Sequence, residues 1–537
     1  MRRAAAIVGT WALVALMVAP LAAQALPIKG RFVGMAGKRS VVAGAQIEKP
    51  SGPHSNIECI VESEGQANLN LDCDEPLPNN EPDIEVNPTD PLHMVVSSND
   101  FGTCCDQFYT TFDGGETWTT GNMSHRGNNR IGSDPVSTFD VRTGNVLHSS
   151  LNFTVTHNFS QACDGDVVVS VSGDGGLHWD KPVIVDDGIG CDLSKLQLFN
   201  DKEWMVTDND PDSPFYGRTY LTWTKFESRS GAYQSSAIWE AHSDDGGRTW
   251  SESHEISGSN PSICTFQESG PAGECDENQF SVPTVTPDGT VHVAFENEQN
   301  EALWETDEVF DDQYLVVSSD DGGETWSAPS FVVGLEDGSD DYPLNVDGRQ
   351  TLTGYQVRVN SAGNIVADPN TGQLYLVFSD NRNGTSDSAD PVTNTDVFMM
   401  TSTDGTTWTG PAEVDAGATD QWFPWVEVNP VDGTVGVLYH DRLAADPDLY
   451  DTTLAEGSPG SFTQTTVTTT PSNPVESLFF QAGVEGCEMC ATFHGDYNNI
   501  SYGSDGNANL VWTDMRDFVA EGPFGTGFAQ FIYYARM

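Results

Sequence analysis

A short pattern recurs five times along this 537-residue chain and constrains its fold more than any other feature. It reads TFDGGETW at 111–118, SGDGGLHW at 172–179, SDDGGRTW at 243–250 and SDDGGETW at 319–326, with a shorter STDGTTW at 402–408. Each position has a physical reason. The carboxylates of Asp113, Asp174, Asp245, Asp321 and Asp404 can accept hydrogen bonds from the backbone amides of their own turn. Gly115, Gly176, Gly247 and Gly323 permit backbone angles that other residues resist. Trp118, Trp179, Trp250, Trp326 and Trp408 can each bury a large ring between sheets. Recurrence at this spacing describes an array of one structural unit.

A looser repeat precedes each box: a strand, a turn rich in Pro, Asp and Gly, then a second strand ending in polar residues. Seven copies are found, beginning near Pro82, Asp134, Lys202, Ser281, Gly363, Pro424 and Gly495. Alternating β-branched and aromatic residues bounded by turn formers are strand signals, and no stretch keeps a helical period. Two strands, a third, the box and a fourth make one four-stranded antiparallel blade. The expected fold is therefore an all-β propeller over residues 81–537, with seven blades favoured and six as the alternative. The sixth copy has a Thr-rich stretch, Thr463 to Thr470, in place of a box. The last blade lacks an outer strand, which a segment near Ser40 to Gln46 would supply to close the ring.

The boxes and strand repeats over about residues 80–537 resemble the BNR/Asp-box superfamily, which includes the sialidases. The resemblance implies a propeller whose boxes lie on a structural face, with chemistry on the opposite one. Sialidases grip a sialic acid carboxylate with three arginines, and guanidinium forks bind carboxylates bidentately. Blades five, six and seven carry Arg382, Arg442 and Arg516 in register, each just after Asp380, Asp441 or Asp514. They form either a carboxylate-binding set or three local braces. Sialidases also use a tyrosine nucleophile, a glutamate that activates it and an aspartate acid/base. Tyr497, beside Asp496, is the nucleophile candidate, ahead of Tyr355 and Tyr342. Asp134 is the acid/base candidate, and Glu203 or Glu427 the activator. The N-terminal Phe-Arg-Ile-Pro motif of sialidases is absent, and Arg130 in NNRIGSDP is the nearest basic residue followed by isoleucine.

Residues 1–25 read as a secretory signal: Arg2 and Arg3, an apolar run from Ala4 to Leu21, then Ala23-Gln24-Ala25. No other stretch is apolar enough to cross a bilayer, so a secreted protein with no membrane span is expected. Residues 26–80 read as an N-terminal arm. A formal net charge of −57 excludes nucleic acid and anionic membranes as default partners. The acidity also suits Ca²⁺, although no cofactor is required by the pattern and no metal ligand set is assigned. The expected partner is a glycan, and the expected state a monomer.

Three function classes follow: a sialidase-type exo-glycosidase, another polysaccharide hydrolase or lyase using rim carboxylates, and a non-catalytic propeller binding glycans, proteins or calcium. Ten cysteines in an exported chain read as disulfides. Local spacing pairs Cys59 with Cys73, Cys163 with Cys191 and Cys264 with Cys275. Cys104, Cys105, Cys487 and Cys490 fall in loops of the first and last blades, which are neighbours in a closed ring. Mapping of non-reduced peptides is expected to recover two bridges joining 104–105 to 487–490; bridges confined within either loop would refute that seam.

Overall fold

The computed structural model describes residues 55–73, 78–100, 105–123, 131–155, 162–192, 194–266, 270–300, 312–338, 340–345, 349–387, 389–477, 493–522 and 525–537. These residues form strands and turns and no helix. The strands form four four-stranded sheets, one five-stranded, one eight-stranded and one two-stranded sheet. With the eight-stranded sheet divided at its single parallel bridge, Phe199 to Gly165, they fall along the chain into seven successive antiparallel runs, called units here. Unit one is Asn79–Val86, Met94–Asp100, Cys105–Thr111 and Thr117–Met123. Unit two is Ile131–Asp140, Asn145–Val155, Ala162–Ser172 and Val183–Asp186, and unit three is Leu196–Thr207, Thr219–Arg229, Ala232–Ser243 and His254–Glu255. Unit four is Asn278–Val285, Val291–Asn297, Gln313–Ser319 and Ser330–Gly334. Unit five is Ile365–Ala367, Leu374–Asp380, Asp396–Ser402 and Thr409–Asp415, and unit six is Gln421–Val428, Val435–Arg442, Tyr450–Ser458 and Ser461–Thr466. The seventh takes three strands from the C-terminus, Asn499–Tyr502, Ala508–Asp514 and Phe531–Arg536, and its outer strand, Leu69–Asn70, from the other end of the chain.

The first strand of each unit touches the first strand of the next, and that of unit seven touches that of unit one. The arm contributes twice. Leu69–Asn70 completes unit seven, whereas Ser55–Glu62 adds a fifth strand to the outer edge of unit one. The segment Ser40 to Gln46, expected to supply the closing strand, lies outside the described residues; the observed outer strand is further along the arm. Asp72 fixes this junction. It accepts a hydrogen bond from the Tyr109 hydroxyl of unit one at 2.5 Å and one from the Ile532 amide of unit seven at 2.8 Å.

Each box is a closed polar knot between the third and fourth strands. In the first, the Thr111 hydroxyl donates to Asp113 (2.8 Å) and accepts from the Gly115 amide (3.1 Å). Asp113 also accepts from the Thr117 amide at 2.9 Å, and the Trp118 indole donates to the Gly115 carbonyl at 3.2 Å. The boxes of Asp245 and Asp321 repeat these bonds. The glycine is also required by packing. A Cβ on Gly115 would lie 2.5 Å from Tyr534 of unit seven, and one on Gly247 would lie 2.7 Å from Leu147 of unit two. Each box thus docks on the unit before it, and Trp118 meets Tyr534 edge-on at 5.0 Å. The tryptophans act as packing groups here, as the sequence implies. The described disulfides are Cys59–Cys73, Cys163–Cys191 and Cys264–Cys275, matching the expected local pairs. Cys104, Cys487 and Cys490 and the side chain of Cys105 lie outside the described residues.

Several buried carboxyl groups have no compensating cation. Burial pushes Asp72, Asp83 and Glu427 up to about 7. A carboxyl whose folded pKa is raised favours the folded state below its unfolded value, about 4, and loses that contribution as pH rises through the folded value. Thermal unfolding measured between pH 5 and pH 8 is therefore expected to show a falling melting temperature; a profile that rises over this window would contradict it.

Candidate functional site

Five first strands open with the same irregularity. One extra residue is inserted between Asn80 and Asp83, Ser133 and Val136, Asp201 and Trp204, Gln279 and Val282, and Trp422 and Trp425. At each bulge a non-glycine residue adopts a left-handed backbone: Glu81 (φ 54°), Asp134 (56°), Lys202 (52°), Phe280 (54°) and Phe423 (54°). Such conformations cost on the order of 1–3 kcal/mol each and persist only where the surroundings over-determine them. Bulges re-aim side chains, and these gather Glu81, Asp134 and Lys202 at one point.

Lys202 is the centre of that point. Its ammonium lies 3.0 Å from Glu81, 3.2 Å from Asp496 and 3.5 Å from Asp134, joining units one, two and three to the loop entering unit seven. Arg358, in the loop entering unit five, forms an ion pair with the same Asp496 oxygen. The Asn99 side chain donates to Glu81, and its carbonyl accepts the Asp134 amide at 2.7 Å. Gly495 allows the unit-seven loop to approach, since a Cβ there would lie 2.8 Å from the Glu81 amide nitrogen.

Burial and mutual interaction separate the ionisation of these groups. For Asp496, burial opposes the charge, but Arg358 and Lys202 outweigh it and hold the carboxyl well below its usual range. Burial, then Asp134, pushes Glu81 well above its ordinary value. Burial opposes the Lys202 charge, yet Asp134, Glu81 and Asp496 keep its pKa raised. Burial, followed by Glu81 and Asp134, drives the Tyr497 phenol well above 10. Its hydroxyl has no hydrogen-bond partner.

Tyr497, Asp496 and Lys202 line a small cavity of about 20 Å³, together with Trp204, Phe280 and Trp425. The Lys202 ammonium sits 4.7 Å from the Tyr497 ring centre. Trp204 and Trp425 meet at 4.5 Å and form the floor. They also line a second cavity of about 140 Å³, bounded by first-strand residues of all seven units.

The sequence candidates divide into two groups. Asp134, Asp496 and Tyr497 come together around Lys202. Glu203 is buried close by, with neither carboxyl oxygen hydrogen-bonded, and burial followed by Asp134 raises its pKa well above the ordinary value. Glu427 lines the second cavity, beyond the tryptophan pair. Tyr342 accepts from the Thr395 hydroxyl at 3.3 Å, and Tyr355 lies under Arg442; both belong to a separate aromatic cluster with Trp422.

The three arginines have separate partners and share none. Arg382 forks onto Asp380 at 2.8 and 2.5 Å, and Arg516 onto Asp514 at 2.8 and 2.6 Å. Arg442 instead takes Asp420 at 2.7 Å, because Asp441 accepts from Gln421. Each stacks on its own aromatic group: Phe398, Tyr355 or Tyr533. Sequence reasoning did not single out Glu81, Asn99, Trp204 or Trp425. Aligning the strand starts, which puts Glu81, Asp134, Lys202, Phe280 and Phe423 in one column, is the signal that finds the bulges. Among the described residues, no group of three or more His, Cys, Asp or Glu side chains is arranged to hold a metal ion.

Removing one member of a buried ion cluster leaves its partners uncompensated, at about 3–5 kcal/mol. Lys202→Met is expected to lower unfolding stability by that order in chemical denaturation; a loss below 1 kcal/mol would mean that the ammonium is not what holds these carboxylates together.

No protein-family model matches the chain, and no curated protein does. Solved structures similar to it include a Hadza microbial sialidase, at 15% identity over 84% of this chain and 74% of that one, TM-score 0.42. An alpha-L-arabinanase of Penicillium chrysogenum matches at 13% identity over 70% and 93%, TM-score 0.42. An ulvan lyase, described as a new family of polysaccharide lyase, matches at 9% identity over 87% and 97%, TM-score 0.46.

Proposed function

We propose that this chain is a secreted, closed seven-bladed propeller that cleaves extracellular glycans at the cavity beside Lys202. Three observations support the ring: the cyclic contacts of the first strands, the cavity bounded by all seven units, and the docking of the unit-one box on Tyr534. The three described disulfides suit an oxidising exterior. No helix among the described residues is long and apolar enough to cross a membrane.

The observation that carries the catalytic reading is the opposed ionisation of two adjacent residues facing one cavity. Asp496 is held as a carboxylate and Tyr497 keeps its proton. Tyr497 donates its proton to the leaving glycosidic oxygen, while Asp496 attacks the anomeric carbon. Water then cleaves the glycosyl ester, and its proton returns to the phenolate. Lys202 beside the ring offsets the phenolate charge during the cycle. Glu81, Asp134 and Arg358 position Lys202 and Asp496. A sialidase-type reaction would need three convergent guanidinium groups, and Arg382, Arg442 and Arg516 are each committed elsewhere. The complete burial of Asp496 and Lys202 favours one second reading, a non-catalytic glycan-binding propeller.

Tyr497→Phe separates these readings. Its hydroxyl makes no hydrogen bond, so the variant is expected to unfold at the wild-type temperature. Release of reducing ends from extracellular polysaccharides should meanwhile fall at least about 100-fold. Undiminished release by the stable variant would remove Tyr497 from the chemistry, and a wild-type protein that binds glycans without cleaving them would establish the second reading.

A further inference from the structure

The repeat that aligns the bulges aligns a second column four residues further along each first strand. That column holds Glu85, Thr138, Val206, Thr284 and Glu427, and each of them lines the cavity of about 140 Å³ beyond the Trp204–Trp425 pair. The two glutamates stand in closely similar pentapeptides, Ile84-Glu85-Val86-Asn87-Pro88 in unit one and Val426-Glu427-Val428-Asn429-Pro430 in unit six. Asp83 of unit one and Asn499 of unit seven reach the same cavity.

These groups leave oxygens without donors. Asp83 is satisfied, accepting from the Ser137 amide and from the Asn499 side chain, each at 2.7 Å. The second of these bonds fixes the Asn499 amide, so that its carbonyl oxygen points away from Asp83. Asn499 is only 4% exposed, and no donor among the described residues reaches that oxygen. Glu427 accepts the Val428 amide on one oxygen at 2.9 Å and leaves the other unpaired. Glu85 makes no hydrogen bond, and burial, then Asp83 and Glu427, push its carboxyl well above the ordinary value. Among the described residues no Lys, Arg or His lines this cavity. Buried carboxylates are ordinarily paired or coordinate a metal, and here neither a partner nor a counter-charge is supplied by the chain.

A hard cation is the ligand that unpaired carboxylate and amide oxygens favour. The cavity has room for it, since 140 Å³ holds about four or five waters at ~30 Å³ each. No three carboxylates are arranged as a cage among the described residues, so water has to complete the coordination shell. Divalent ions bound through one or two carboxylates and several waters meet that condition. We propose that this cavity binds one hard divalent cation with part of its water shell, held by Glu85, Glu427 and the Asn499 carbonyl oxygen. The ion fastens unit one to units six and seven, where the two ends of the chain meet.

The test uses the full chain, stripped with a chelator and dialysed, then titrated with MgCl2 and separately with CaCl2 while NaCl holds ionic strength constant. At least one of the two ions is expected to raise the melting temperature by about 2–4 °C once in large excess over its dissociation constant. A formal net charge of −57 also draws cations to the surface, so the site is identified by variants that keep shape and remove charge. Glu85→Gln and Glu427→Gln are each expected to weaken calorimetrically measured binding at least about tenfold. In chelator, each should unfold no lower than the wild type, because an uncompensated buried charge has been removed. If one variant fails to fold, the other carries the same comparison. An equal shift in the wild type and the folded variants would assign the effect to the acidic surface, and no shift with either ion would leave the cavity to water alone. Either result overturns the site.

Discussion

A single ammonium buried among three carboxylates ties together the starts of four units. Lys202 draws Glu81 from unit one, Asp134 from unit two and Asp496 from the loop entering unit seven onto one nitrogen. Each of these groups alone would be expensive to bury. Together they hold four points of the array at fixed separation, from left-handed bulges that recur with uncharged residues at Phe280 and Phe423. The same cluster sets the ionisation of its neighbours. Positive charge from Lys202 and Arg358 keeps Asp496 ionised, whereas burial and the surrounding carboxylates keep Tyr497 protonated.

The boxes join third and fourth strands, whereas the Lys202 cluster lies at the starts of first strands. The boxes fasten the outer strands by bonds that close within a few residues, so each is readable in isolation. The site is assembled from residues far apart in the chain, of which the Lys202–Glu81 and Arg358–Asp496 pairs are examples. Local bonds leave a mark on local sequence. Long-range convergence leaves one only when the repeat is aligned and its columns are compared.

This difference explains how much was legible. The all-β architecture, the seven strand repeats, the box geometry and three disulfides could be read directly, because turn chemistry and alternation act at short range. The grouping of Asp134, Asp496 and Tyr497 could be anticipated only as a set of loops on one face. Nothing local marks Glu81 as their partner, since a Glu-Pro step at the start of a strand reads as an ordinary turn. The arm was legible as extended chain, but not the register that sends Leu69–Asn70 to unit seven and Ser55–Glu62 to unit one.

The arginines show the converse error to which repeats are prone. Arg382 and Arg516 sit in register because the Asp-x-Arg fork closes on itself at the end of a second strand, in each unit that retains it. In unit six the spacing shifts, Asp441 is taken by Gln421, and Arg442 finds Asp420 instead. A residue type conserved from unit to unit within one chain therefore reports the scaffold's own requirement. At the bulge the geometry is constant and the residue is not: glutamate, aspartate, lysine and two phenylalanines occupy one backbone position in five units. A fixed, strained position filled differently each time is what an asymmetric site needs from a symmetric array, and three of its five occupants, Glu81, Asp134 and Lys202, meet at one point.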